Sequence, residues 1–265
     1  MKEIKFEKWQ GLGNDFIILN EEKATSELAK LMCDRNFGVG ADGLFSPVKT
    51  DDTDIGWDFY NSDGSIAQMC GNGIRCFAKY AYTHKLVNKN KFSVKTLAGT
   101  IIPEILSDGR VRVDMGKPIL EAQKIPVNTQ TPQDFIIEGF SASAISMGNP
   151  HCIIFTEHDS AALAREYGPK IEPHKLFPQK TNVEFVKIKN RARMQLDVYE
   201  RGCGITLACG TGACAATVAG ILKDLLDDTV TVELPGGELT IEYKGENVYM
   251  TGPAKKVFEG TYFQK

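Results

Sequence analysis

The sequence predicts an α/β fold of the α+β type, made of two pseudo-symmetric halves, each a sheet curled around one central helix. Three observations predict it. The first is a segment written twice. DFYNSDGSIAQMCGNG (58–73) and DVYERGCGITLACGTG (197–212) align without a gap. Asp58 matches Asp197, Tyr60 matches Tyr199, Ile66 matches Ile205, and Cys70, Gly71 and Gly73 match Cys209, Gly210 and Gly212, always 139 residues apart. Weaker echoes keep nearly the same spacing: LGND at Leu12 with MGNP at Met147, TLAGTI at Thr96 with ELPGGE at Glu233, VDMGKP at Val113 with YMTGPA at Tyr249. Four matches in one order point to a duplicated domain. The second observation is the helix-like run after each Cys-Gly-x-Gly. The third is strand-like alternation on either side of it.

The elements follow in chain order. A helix is predicted over 26–35. Over 74–86, Ile74, Phe77, Ala78, Ala81 and Tyr82 share one helical face. KFSVKT (91–96) and RVRVDM (110–115) alternate as half-buried strands do. The seam between halves falls after Met115, near GKPILEAQ. A second-half helix is predicted over 160–167, ending at Gly168. RMQLDVYE (193–200) and ELTIEYK (238–244) alternate again. The run from Ala213 to Leu222 is apolar all round, and a helix without a polar face must be surrounded by protein.

Composition bounds the function. The chain has 265 residues, 42% hydrophobic and 25% charged, with a formal net charge of −3. Such a balance suits a globular protein and gives no electrostatic footprint for nucleic acid. No apolar run reaches membrane-span length, and MKEIKFEKWQ has no signal core, so a cytoplasmic protein is expected. Seven cysteines are expected as thiols in a reducing compartment. Cys33, Cys76, Cys152 and Cys214 lie in apolar stretches and read as buried, inert thiols.

Cys-Gly-x-Gly before a helix has a physical meaning. A helix start presents backbone N–H groups and partial positive charge, and glycine lets an anion approach closely. A cysteine there is expected to have a lowered pKa. Two such cradles facing one another would grip a carboxylate and flank its Cα with two sulfurs. One thiolate could remove the Cα proton while the opposite thiol delivers another, as in a two-base racemase or epimerase. This chemistry needs no electron-sink cofactor, and GLGND lacks the spacing of a dinucleotide loop. A zinc or thiol module is the rival reading. The C-x5-C spacing of Cys70 and Cys76, and the five and four residues separating Cys203, Cys209 and Cys214, fit structural zinc poorly. A carboxylate-binding module without catalysis is a third reading, against which both retained cysteines speak.

Taken together, GLGNDF at Gly11, ADGL at Ala41, NSDGSIAQMCGNGIRC at Asn61, MGNPH at Met147, TNVEF at Thr181 and YERGCGITLACGTGACA at Tyr199 make the chain resemble the diaminopimelate epimerase family along nearly its whole length. The resemblance implies two α/β halves, each a mostly antiparallel sheet wrapped around a central helix. The halves would be 1–116 and 117–253, with the tail 254–265 returning to the first. It implies interconversion of LL- and meso-diaminopimelate for lysine and peptidoglycan precursors, without pyridoxal phosphate, metal or nucleotide, in a homodimer. Another cofactor-independent amino-acid racemase on the same fold is the near alternative.

By the same resemblance Cys70 and Cys209 are the catalytic acid/bases. The backbone of Gly71, Asn72, Gly210 and Thr211 would hold the reacting carboxylate. Asn14 and Glu200 would address the reacting amino group, and Asn61, Asn149, Asn182 and Arg201 the distal end. His151 and Glu200 would tune the thiols. One departure is visible: some members carry a substrate-contacting glutamine where this chain has Gly43.

Overall fold

The structure is a computed structural model and describes residues 2–264. It is a mixed α/β protein with four helices among the described residues, and it divides into two compact units. Unit 1 comprises Met1–Val113 and Gly252–Lys265; unit 2 is Asp114–Thr251. None of these helices is long and apolar enough to cross a membrane.

Unit 1 begins with a hairpin, β1 (Lys2–Gly11) and β2 (Asn14–Leu19). Both central residues of its two-residue turn have positive φ, Leu12 at 57° and Gly13 at 84°. That pattern matches the right-handed twist of the flanking strands. Helix α1 (Ser26–Cys33) is capped by Thr25, whose side chain accepts from Leu28 N–H. It crosses over to β3 (Gly43–Val48), which pairs parallel with β2. Strand β4 (Ile55–Asn61) returns antiparallel. Helix α2 (Gly71–Thr83) crosses to β5 (Val94–Thr96), parallel to β4. Strands β6 (Gly99–Ile101), β7 (Pro103–Ile105) and β8 (Val111–Asp114) follow as antiparallel hairpins. The C-terminal strand, Lys255–Gln264, closes the sheet edge beside β1.

Unit 2 repeats this plan. β9 (Phe135–Ile137), β10 (Phe140–Ser146) and β11 (Pro150–Phe155) form an antiparallel run. Helix α3 (Ser160–Ile171) crosses to β12 (Asn182–Asn190), parallel to β11. β13 (Arg193–Glu200) carries the short β14 (Gly204–Ile205). Helix α4 (Gly210–Leu222) then crosses to β15 (Thr229–Leu234), parallel to β13. β16 (Gly237–Tyr243) pairs antiparallel with β15, and β17 (Val248–Gly252) antiparallel with β16. Each unit thus places a parallel pair at each of two helical crossovers and antiparallel pairs elsewhere. The duplication read from sequence is a duplication of topology.

The central helices are buried as their sequences require. In α4, residues from Ala213 to Gly220 are all inaccessible or nearly so, and the helix packs on β10, β11, β12, β15 and β16. In α2, Ile74, Phe77, Ala78 and Ala81 are fully buried. Tyr82, expected on that face, is instead 41% exposed, and Tyr80 is the inward tyrosine. Tyr80 stands edge-on to Trp9 and donates to Asn20. Phe77 also joins an aromatic cluster in which Phe45 stacks on Trp57 at 4.8 Å. The unit 2 core includes Ile137, Cys152, Ile154, Ile171, Phe177, Val183 and Phe185.

Helix α3 does not end at Gly168. It runs on through Pro169 to Ile171. Gly168 serves a close approach rather than a cap: a Cβ there would lie 2.5 Å from Cβ and Cγ of Tyr199. Fully buried Ile171 anchors the extra turn in the core. Gly168→Ala is expected to push α3 off β13 and cost about 1–3 kcal/mol. Urea unfolding measures this; an unchanged midpoint would mean the two elements separate freely.

Candidate active site

Both helix starts place a sulfur at the N-cap. The chain reaches each cysteine extended (Cys70 φ −142°, Cys209 φ −114°) and turns helical at the next glycine. Gly73 N–H donates to Cys70 Sγ at 3.4 Å, and Gly212 N–H donates to Cys209 Sγ at 3.3 Å. Each thiol therefore does what a serine or aspartate cap does, satisfying one orphan N–H of the first turn. The helices start three residues earlier than the apolar runs suggested, so Gly71, Asn72, Gly210 and Thr211 form the first turns. The second glycine of each motif is required by space. A Cβ on Gly73 would lie 2.7 Å from the Phe45 ring, and one on Gly212 would lie 2.7 Å from Glu184 Oε1.

In unit 1, Asn14 follows the Leu12–Gly13 turn and begins β2. Its Oδ1 accepts from Asn72 Nδ2 at 3.2 Å and from the Cys70 thiol at 3.6 Å. The structure therefore joins Asn14, Cys70 and Asn72, all half-buried or buried. Asn61 ends β4 opposite Gly43 and donates to Ser65 Oγ at 3.0 Å. Gly43 itself is closely covered: a Cβ there would lie 2.6 Å from the Phe59 ring. A larger residue would have to displace that ring.

In unit 2, Asn149 follows Gly148, whose φ is 94°, just before β11. Its Nδ2 donates to Thr211 Oγ1 at 3.3 Å, and Thr211 Oγ1 lies 3.5 Å from Cys209 Sγ. Its Oδ1 meets His151 Nε2 at 3.1 Å. His151 Nδ1 meets Glu184 Oε1 at 2.6 Å, with both side chains wholly inaccessible. The parallel register of β11 and β12 sets His151 beside Asn182. Asn182 Nδ2 donates to Pro150 O, and its Oδ1 accepts from Arg201 N–H at 2.9 Å. The Arg201 guanidinium is exposed and donates to Gln179 O at 3.3 Å. Glu200 accepts from Thr206 Oγ1.

Glu184 is the residue that the sequence reading missed. A signal was present: a carboxylate in the run NVEFV, whose members are all buried, must find a partner. Burial raises its pKa, against the pull of His151. Burial also raises that of Glu200.

The lowered pKa expected for a helix-start thiol does not hold for Cys209. Burial pushes it well above the ordinary thiol value, and Glu200 and Glu184 push further in the same direction. The hydrogen bonds from Thr211 and Gly212 oppose this without offsetting it. The four cysteines read as inert are buried. Burial raises the thiol pKa of Cys33 and of Cys76 to about 12. Iodoacetamide at neutral pH is expected to label exposed Cys203 and half-buried Cys70 well before Cys209, sparing the buried four. Peptide mass mapping reads this; labelling of Cys209 as fast as Cys203 would contradict it.

His151, Glu184 and Cys209 offer ligand atoms within 4.8 Å of one another. The geometry is that of a hydrogen-bonded pair beside a thiol. Two donors on one tetrahedral zinc, with bonds of ~2.0 Å, stand about 3.3 Å apart, wider than the 2.6 Å between His151 and Glu184.

Fold and site define an α/β protein of duplicated units with a thiol-capped central helix in each. Solved structures with this fold include a probable proline racemase from Agrobacterium radiobacter, with TM-score 0.72 at 13% identity over 99% of this chain and 93% of that one. A hydroxyproline epimerase from Agrobacterium vitis gives TM-score 0.70 at 10% identity, covering 98% and 92%. The diaminopimelate epimerase family model matches residues 6–121 and 143–257. The diaminopimelate epimerase of Carboxydothermus hydrogenoformans is 48% identical over 98% of this chain and all of its own. That of a Cyanothece species is 47% identical over 97% and 99%. The chain belongs to the diaminopimelate epimerase family, isomerases that act on amino acids.

Proposed function

We propose that the protein interconverts LL- and meso-diaminopimelate by a two-base mechanism, with Cys70 and Cys209 each serving one face of the reacting Cα. The observation that carries this reading is the sulfur at the N-cap of both matching central helices. One thiolate takes the Cα proton, and the electron pair passes toward the α-carboxylate. The other thiol then supplies a proton on the opposite face, so atoms and charge balance and the roles reverse in the return direction. The first-turn backbone at Gly71, Asn72, Gly210 and Thr211 stabilises the carboxylate as its charge grows. Each of the two units acts as one domain.

Asn14 and Glu200 take the reacting ammonium group. Asn61, Asn149, Asn182 and Arg201 take the distal carboxylate and amine. His151, held by Glu184, and Glu200 set the proton affinity of the thiols. The reaction uses no pyridoxal phosphate, metal or nucleotide, and it supplies lysine and peptidoglycan synthesis in the cytoplasm, with the protein as a homodimer. Chiral chromatography of LL-diaminopimelate incubated with purified protein is expected to show the meso isomer forming to near equilibrium, with proline unchanged. Turnover of proline without turnover of diaminopimelate would assign the protein to another racemase activity.

A further inference from the structure

Two charged residues in unit 1 have no role in the scheme above, yet they end the hydrogen-bond chain that holds Asn14. At one end is Asp42, whose Oδ2 accepts from Asn14 Nδ2 at 2.5 Å and from Asp15 N–H at 3.1 Å. At the other is Arg75, wholly buried in α2, which donates through NH2 to Asn72 Oδ1 at 2.9 Å. Between them Asn72 Nδ2 donates to Asn14 Oδ1 at 3.2 Å. A carboxylate can only accept and a guanidinium can only donate, whereas each asparagine amide can turn either way. With both ends fixed in role, the chain runs in one sense: Arg75 to Asn72 to Asn14 to Asp42. Either amide turned over would set donor against donor or acceptor against acceptor at two places.

We infer that Asp42 and Arg75 are positioning residues, which lock Asn14 with its carbonyl oxygen toward Cys70 and toward the place of the reacting ammonium group. The inference rests on the proposed epimerase reading and adds to it. An ammonium group needs acceptors, so the amide nitrogen of Asn14 in that place would repel it. The Cys70 thiol needs the same oxygen.

The fold explains how Asp42 comes to be there. The parallel register of β2 and β3 sets Phe16 beside Gly43, so the residues before each, Asp15 and Asp42, lie side by side. Arg35 bridges the two carboxylates, at 2.8 Å to each. Lys8 adds a second cation on Asp15 at 2.7 Å, and the pKa of Asp15 is held down to about 2. Unit 2 has no such ends. The repeat counterparts of Asp42 and Arg75, 139 residues on, are Thr181 and Cys214, neither of them charged. There Asn149 turns its nitrogen to Thr211 instead, and Glu184 through His151 supplies the anchor. The two asparagines thus present opposite ends of the amide in the two units.

The test compares Asp42→Ala with Asp42→Asn in the full-length protein. Alanine removes the acceptor; asparagine removes the charge and keeps an oxygen for Asn14. Three quantities are read: kcat/KM for diaminopimelate, the pH midpoint of Cys70 alkylation by iodoacetamide, and the unfolding midpoint. Asp42→Ala is expected to lower kcat/KM at least about tenfold, as loss of alignment does, and to shift the alkylation midpoint down, because the thiol loses a fixed acceptor. Asp42→Asn is expected to stay near wild type in both, and both variants to stay folded. Equal effects of the two variants would assign the result to charge and overturn the inference, as would wild-type behaviour of both. If wild-type protein fails to turn over diaminopimelate, the functional reading falls, while the alkylation comparison still decides the locking of Asn14.

Discussion

Cys70→Ala and Cys209→Ala are each expected to lower epimerisation of diaminopimelate by at least about 10³-fold, equivalent to roughly 4 kcal/mol of transition-state stabilisation. A proton must leave one face of Cα and arrive on the other, so neither sulfur can cover for its partner. The folded state should lose only about 1 kcal/mol in either variant, since the contacts of each sulfur at its helix start are long hydrogen bonds. Cys76→Ala is the contrasting variant. That thiol is wholly buried in α2, with its pKa pushed up to about 12 by burial. Its removal should cost about 1 kcal/mol of stability and leave kcat unchanged. Steady-state kinetics beside urea unfolding separate the two patterns. Wild-type turnover by either of the first two variants would end the two-base account.

Arg201→Met is expected to cost about 1.5–3 kcal/mol in kcat/KM for diaminopimelate, what hydrogen bonding to a charged group is worth. The Arg201 backbone is fixed by Asn182 Oδ1, while among the described residues its guanidinium spends one donor, on Gln179 O. The remaining donors form the planar fork that suits a distal carboxylate, which lysine would not reproduce. On the proposed reading distal binding also orients the reacting Cα, so kcat should fall together with affinity. The exposed site predicts an unchanged unfolding midpoint. Lysine, which lacks the distal carboxylate, should be a poor substrate for wild type and no worse for the variant. Equal turnover of lysine and diaminopimelate by wild-type protein would remove Arg201 as the anchor.

Much of this arrangement was legible in the sequence where local rules act alone. β13 spans the residues marked by its alternation. The apolar run after Ala213 had to be enclosed, and it is. The repeat located both thiols and both turn asparagines, because duplication copies positions whatever their partners. What escaped depends on contacts between distant residues. Gly168 looked like a helix end because its close neighbour, Tyr199, is on another element. The pairing of Asp42 with Asn14 follows from a parallel register that no local pattern encodes. The Cys209 thiol was misjudged because the helix-start rule omits burial and two nearby carboxylates, which outweigh it.

The two-base claim is tested most directly by following deuterium into each pool separately. LL-diaminopimelate is incubated with wild-type protein in deuterated water and sampled while conversion is small. Two sulfurs on opposite faces predict that the meso product carries deuterium at the inverted Cα while unreacted LL substrate remains protiated, since the proton taken by one sulfur is not the one delivered by the other. Product that retains the substrate's own hydrogen would mean that one base removes and returns it, contradicting the account.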